Sequence, residues 1–149
     1  MAEIQNIILY RAYPWVPLED LDLIEDDVLR RRARHAITEN LRVMAFMDAL
    51  REGNTAKIAE IITASHESLR YDYEVSGLEL DTMVEIARKQ PGCLASRMTG
   101  AGFGGCAIAL VASDKVEAFK EAVPKLYEEA IGTVPTLYDA EIGDGVYNL

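Results

Sequence analysis

The chain has 149 residues, half of them hydrophobic, which suffices for one domain with its own core but not for two full domains. A net charge of −10 argues against nucleic acid and anionic membrane surfaces as partners, because both are bound through clustered Lys and Arg. Two cysteines, Cys93 and Cys106, support neither a disulfide framework nor a metal site, and no apolar segment is long enough to span a membrane. We therefore expect a cytoplasmic protein with reduced cysteines.

Residues 1–27 indicate no single element, because apolar residues at helical spacing are followed by two prolines, and the acidic stretch at residues 18–27 is typical of a turn that leads into a helix. Apolar residues then recur at intervals of three and four over residues 28–51, which predicts a long amphipathic helix. Gly53 ends this helix, and Asn54 can cap a second helix over residues 55–69. Together they predict a helical hairpin.

The second half of the chain alternates between helix and strand signals. Ser76 and Glu79 have capping-box spacing at the start of a third helix, which Pro91 and Gly92 close. Strands are predicted over residues 94–99, 106–112 and 133–142, with a fourth helix between the last two that Pro124 is expected to kink or break. This order predicts an α+β domain with an antiparallel sheet covered on one face by helices.

The loop between the first two strands is the strongest functional signal. Gly100, Gly102 and Gly105 satisfy the G-x-G-x-x-G spacing of dinucleotide-binding turns and kinase glycine loops. A dinucleotide turn must open a helix, whereas an apolar strand follows here. Backbone N–H groups of the loop can hold an anion, with Arg97 or Thr99 assisting from the preceding strand. The alternative, which spacing leaves open, is a glycine-rich bend that lets a strand pack closely on a neighbour.

Other charged residues have structural interpretations that we favour. The cluster Arg30, Arg31, Arg32 and Arg34 can attract a phosphate, but Glu25, Asp26 and Asp27 lie close enough to neutralise it. His35 and His66 lack partners at metal-ligand spacing, so we expect hydrogen-bonded structural histidines. The carboxylates of Asp72 and Glu74 suit acid–base chemistry, ligand binding or the stabilisation of a helix end equally well.

Several blocks in order resemble the C-terminal part of the galactokinases, a family of the GHMP kinase superfamily. They are RRARHAITEN at residues 31–40, SHESLRYDYEVSG at 65–77, LELDTMV at 78–84 and SRMTGAGFGGC at 96–106. The resemblance covers most of residues 30–149, and it identifies residues 28–149 as a GHMP kinase C-terminal domain of ferredoxin-like α+β fold. Residues 1–27 match the family poorly, and we interpret them as an N-terminal extension.

The resemblance implies a role in transferring the γ-phosphate of ATP, with Mg²⁺, to the 1-hydroxyl of galactose. The implied loop near the sugar and the transferred phosphate comprises Gly100, Ala101, Gly102, Phe103, Gly104 and Gly105. The family's catalytic carboxylate and arginine, its phosphate loop and its sugar-recognition segment have no counterpart here. We therefore expect no catalytic or metal-binding residue in this chain, no tight binding of ATP or Mg²⁺, and no appreciable activity alone.

The absence of the N-terminal kinase domain of such an enzyme has a second consequence. A domain without its partner is expected to expose an apolar interdomain face, through which a homodimer can form. The alternative hypothesis is a stand-alone, non-catalytic module that binds a phosphorylated metabolite or a protein partner.

Overall fold

The computed structural model describes residues 17–140, and predictions that concern residues 1–16 and 141–149 lie outside this range. A short 3₁₀ helix, Leu18–Leu23, comes first. The regular elements that follow are α1 (Asp27–Arg51), α2 (Thr55–Ser68), α3 (Leu78–Lys89), β1 (Cys93–Thr99), β2 (Cys106–Val111) and α4 (Val116–Ile131). One π-helical turn, Leu69–Tyr73, continues α2.

The two long helices form as predicted and pack against each other. Asp26 caps α1 by accepting from Leu29 N–H, and Asn54 caps α2 by accepting from Lys57 N–H at 3.0 Å. Ahead of α1, Leu21 and Ile24 form a small core cluster with Ile37. The start of the domain at residue 28 stays a prediction, although the described end of the extension contacts α1.

Predictions about the starts and continuity of three elements were wrong in whole or in part. The Ser76 capping box does not form: α3 begins at Leu78, because the Gly77 carbonyl accepts its first helical bond from Asp81 N–H. Helix α4 continues through Pro124, so the predicted break is absent, since buried Val123 and Tyr127 anchor the helix on either side; the alternative of a kink stays a prediction. Residues 133–140 form no strand, because no neighbouring strand pairs with them among the described residues.

The described sheet has two antiparallel strands, which agrees with the predicted α+β class. Ala95 pairs with Leu110, and Thr99 pairs with Cys106 at the end of the hairpin. An irregularity between Cys93 and Ala95 interrupts the predicted side-chain alternation, so Leu94 is exposed. Helices α2 and α3 pack on β1, and α4 packs on α3.

The two strands differ sharply in burial. Met98 of β1 is 1% exposed and lies in a core cluster with Leu69 and Leu80. In β2, by contrast, no residue is buried, although the strand was expected to be of the buried type, and Ile108 is 50% exposed. Within residues 17–140, no helix is long and apolar enough to cross a membrane.

Candidate functional site

The glycine loop closes the β1–β2 hairpin, where the sequence placed it. Gly100, Gly102 and Gly104 have φ values of +77°, +88° and +100°, in the left-handed region that favours glycine. A Cβ at Gly100 or Gly104 would meet nothing within 4 Å, so backbone conformation alone calls for glycine there. Phe103 shares the left-handed conformation and is 74% exposed. The tip of the loop is therefore open to a ligand.

Gly102 holds the base of the loop against another segment. A Cβ at this position would lie 1.9 Å from the Val75 carbonyl oxygen and 3.0 Å from the Met98 methyl group. The same Val75 oxygen accepts a 2.9 Å hydrogen bond from Phe103 N–H, and the Val75 side chain packs on the Met98 cluster. The close approach of two backbones thus explains why residue 102 is a glycine. The tip of the loop, by contrast, is exposed to solvent.

Three arginines of α1 bind residues 71–74, the segment that directly precedes Val75. Arg31 Nη1 lies 2.7 Å from Glu74 Oε1 and donates to the Tyr71 carbonyl. Arg32 donates to Glu74 Oε2 at 2.5 Å and to the Asp72 carbonyl. The third, Arg34, donates to Asp72 Oδ1 at 3.1 Å. Residues about forty positions apart in sequence are thereby joined next to the glycine loop.

The charge pairing expected from the sequence is partly right. Asp27 does bind Arg30 and Arg31, whereas Asp26 is used as the α1 cap. The principal partner that sequence reasoning missed is Glu74. Hydrogen bonds from Arg32 and then Arg31 hold the pKa of the Glu74 carboxyl below its ordinary value, so the group is ionised at neutral pH and bound to cations. This environment does not suit a general base.

Both histidines are buried and contact polar groups of the chain, as expected of structural histidines. His35 Nδ1 lies 3.0 Å from Ser68 Oγ, and its ring stacks on Tyr73 with centroids 4.6 Å apart. His66 Nδ1 accepts from Met98 N–H at 3.3 Å, which places its proton on Nε2, 3.5 Å from Asp81 Oδ1. Burial is the main cause that lowers the pKa of each imidazole, so both are neutral at pH 7.

The two residues proposed to assist the loop from β1 lie in different settings. Arg97 Nη1 donates to Ser65 Oγ at 2.8 Å and lies 3.7 Å from Glu39 Oε2, so its guanidinium is engaged by α1 and α2. Thr99 is the last residue of β1 and is partly buried. Thr99 therefore adjoins the loop directly, while Arg97 would have to exchange partners to reach a ligand.

Metal-binding groups are not brought together in this part of the chain. Among residues 17–140, no three His, Cys, Asp or Glu side chains are grouped so that they could hold a metal ion. The described residues thus do not fit a Mg²⁺ site, and we derive no step through one.

Comparison with known proteins gives consistent results. The family model "GHMP kinases C terminal" matches residues 46–129. The galactokinase of Ligilactobacillus salivarius is 58% identical over 83% of this chain and 32% of its own length, and that of Lactococcus lactis is 56% identical over 83% and 31%. The chain therefore spans about a third of the length of these relatives.

A solved structure agrees in fold as well as in sequence. The crystal structure of Lactococcus lactis galactokinase complexed with galactose matches with a TM-score of 0.81 and 53% identity, over 87% of this chain and 34% of that one. An antiparallel hairpin with packed helices is thus shared with a close relative. On these grounds, the chain belongs to the GHMP kinase C-terminal domain family and is homologous to galactokinases.

Proposed function

We propose that this chain is the C-terminal domain of a galactokinase, which transfers the γ-phosphate of ATP to galactose to give ADP and galactose 1-phosphate. The observation that carries the proposal is the glycine loop, whose base is fixed on Val75 while its tip is exposed. The galactokinases to which the chain is homologous support the substrate assignment.

In the proposed mechanism, the loop forms one wall of the cleft. Left-handed glycines at 100, 102 and 104 turn successive backbone segments so that N–H groups can face the phosphate that is transferred. Such fixed donors stabilise charge that develops on phosphate oxygens without rearranging during the reaction. Small residues at the tip also let the backbone approach both substrates closely.

Other parts of the reaction are assigned to the remaining portion of the enzyme. Phosphoryl transfer requires both substrates to be positioned and clamped electrostatically, and Mg²⁺ supplies charge neutralisation at the phosphates. We assign the Mg²⁺ ligands, the catalytic carboxylate and the sugar site to the two-thirds of the relatives' length that this chain does not match. The chain alone is therefore proposed to be inactive.

The open side of β2 is proposed as the surface that meets this remaining portion. Ile108 is 50% exposed and Leu110 is 40% exposed, and isolated domains do not commonly leave a strand of such apolar composition uncovered. A homodimer through the same face is the second occupant that this surface can take in the isolated chain.

The test is reconstitution. The chain is mixed with the Lactococcus lactis galactokinase lacking the segment that matches it, and ATP-dependent formation of galactose 1-phosphate is measured. Activity is expected only in the mixture. Appreciable activity of the chain alone would contradict the proposal, as would an inactive mixture in which the two pieces bind each other.

Calorimetry with ATP, galactose and galactose 1-phosphate addresses the alternative of a stand-alone binding module. The proposal expects no submillimolar binding of any of the three to the chain alone. Submillimolar binding of galactose 1-phosphate would favour the alternative, since a preformed site would then exist without the rest of the enzyme.

A further inference from the structure

Glu74 occupies an unusual backbone conformation directly before the residue that supports the loop. Its φ of +58° and ψ of 45° lie in the left-handed region, where a residue other than Gly, Asn or Asp is uncommon. Such a conformation persists when the surroundings impose it, and it occurs preferentially at functional sites. The surroundings here include two guanidinium groups, those of Arg31 and Arg32.

The arginines hold the turn at its backbone as well as at its side chain. Arg31 donates to the Tyr71 carbonyl at 2.9 Å, and Arg32 donates to the Asp72 carbonyl. Both guanidinium groups therefore bridge a carbonyl oxygen and the Glu74 carboxylate. This planar, multidentate geometry suits arginine and cannot be reproduced by a lysine ammonium group.

The position of Val75 follows from this turn. Its carbonyl oxygen accepts the Phe103 N–H and would lie 1.9 Å from a Cβ at Gly102, so even a small displacement alters its fit to the loop. The contacts therefore run from α1 to the turn at residues 71–74, and from the adjoining Val75 to the glycine loop.

We propose that Arg31, Arg32 and Glu74 are positioning residues, which fix the Val75 carbonyl and through it the conformation of the glycine loop. The catalytic use of that loop rests on the proposed function, whereas its conformation does not. The relevant observable is thus the loop itself in the chain without substrates, so the two proposals can fail separately.

The experiment measures hydrogen exchange of the Phe103 amide by NMR in the full chain, with the Met98 amide of β1 as the internal reference. Two variants, Glu74→Gln and Glu74→Gly, remove the carboxylate. Asp27→Asn is the matched control, because Asp27 also binds Arg31 but lies outside the turn.

We expect exchange at Phe103 to accelerate about fivefold in both Glu74 variants, while the reference amide and the control change less than about twofold. Glycine adopts the left-handed conformation more readily than Glu, so Glu74→Gly removes the ion pairs without adding backbone strain. Faster exchange in this variant therefore reports the loss of the ion pairs. Unchanged or slower exchange at Phe103 in Glu74→Gly would overturn the proposal. An acceleration in Asp27→Asn equal to that in Glu74→Gln would also overturn it.

A second pair of variants tests the arginine side of the contact. Arg32→Lys keeps the charge but loses the fork of donors, and Arg32→Met loses both while keeping the aliphatic stem. We expect Phe103 exchange to accelerate about fivefold in the Met variant and by a smaller factor in the Lys variant. Wild-type exchange in Arg32→Met would contradict the assignment.

Discussion

β1 and β2 are neighbours in one hairpin, yet their burial is opposite to what their sequences suggest. β1 contains Ser96, Arg97 and Thr99 but buries three of its residues, whereas β2, with the sequence CAIALV, buries none. Helices α2 and α3 of this chain pack on β1. The difference teaches that composition indicates a strand's suitability for burial, while neighbouring elements decide whether burial occurs.

Specific polar contacts reinforce the covered strand. Met98 N–H donates to His66, and Arg88 donates to the Ser96 carbonyl from both Nε and Nη2. Ser96 Oγ in turn donates across the hairpin to the Ile108 carbonyl at 2.8 Å. Within residues 17–140, β1 is thus fixed by several other elements, and β2 is held chiefly through β1.

The comparison is tested most strongly by truncating one side chain on each strand. Met98→Ala should lower the free energy of unfolding by about 2–5 kcal/mol, because it leaves a cavity between Leu69 and Leu80. Ile108→Ala should cost less than about 1 kcal/mol, since half of that side chain is already exposed. Urea denaturation of the two variants measures both, and equal losses would mean that β2 is covered as well as β1.

A second pair of variants separates the supported base of the glycine loop from its open tip. Gly102→Ala places a methyl group against the Val75 carbonyl in a left-handed conformation, so we expect a loss of about 2 kcal/mol or more. Gly104→Ala meets no neighbour and should cost about 1 kcal/mol through its backbone alone. Thermal unfolding compares them, and an equal or larger loss in Gly104→Ala would contradict a base anchored on Val75.

Mild acid should lower the free energy of unfolding through the histidine that contacts β1, before the pH is low enough to protonate the carboxylates. Burial lowers the folded-state pKa of His66, so its neutral form is favoured on folding and the chain loses stability as pH falls below the unfolded value of about 6.5. His35 acts in the same direction, and each group contributes at most about 1.4 kcal/mol per pH unit.

Denaturation midpoints between pH 7.5 and 5.5 measure this effect, with His66→Gln as the comparison. The wild type should lose more stability across this interval than the variant, which retains only the contribution of His35. Equal pH dependence would show that His66 is not excluded from protonation in the folded chain.

Much of the fold can be predicted from local sequence. The apolar periodicity of α1 and α2 and the Asn54 cap are local features, and the structure has them as expected. Errors occurred where a distant element decides the outcome. Residues 133–140 alternate like a strand but lack a neighbour to pair with in the described range, and Pro124 is tolerated because Val123 and Tyr127 are buried.

The candidate site likewise has one part that the sequence predicted and one part that it did not. Glycine spacing located the loop, since its left-handed residues leave a direct mark on the sequence. The contact of Arg32 with Glu74 spans 42 positions and carries no such mark. Opposite charges in the RRARH and DYE segments were the available signal, but nearby Asp27 offered an equally simple partner for the arginines.

The central proposal is that described helices of this chain cover β1, whereas β2, which is exposed among the described residues, is the surface for the remaining portion of the enzyme; the two cysteines report on this difference directly. Cys93 lies on β1 with its thiol pKa raised by burial, whereas Cys106 begins β2 and is exposed. Alkylation rates are measured by mass spectrometry, with and without the complementary piece of the Lactococcus lactis enzyme. The account predicts that Cys106 reacts faster than Cys93 in the chain alone and slows on reconstitution, while Cys93 does not change. An active mixture in which Cys106 keeps its full reactivity would contradict it.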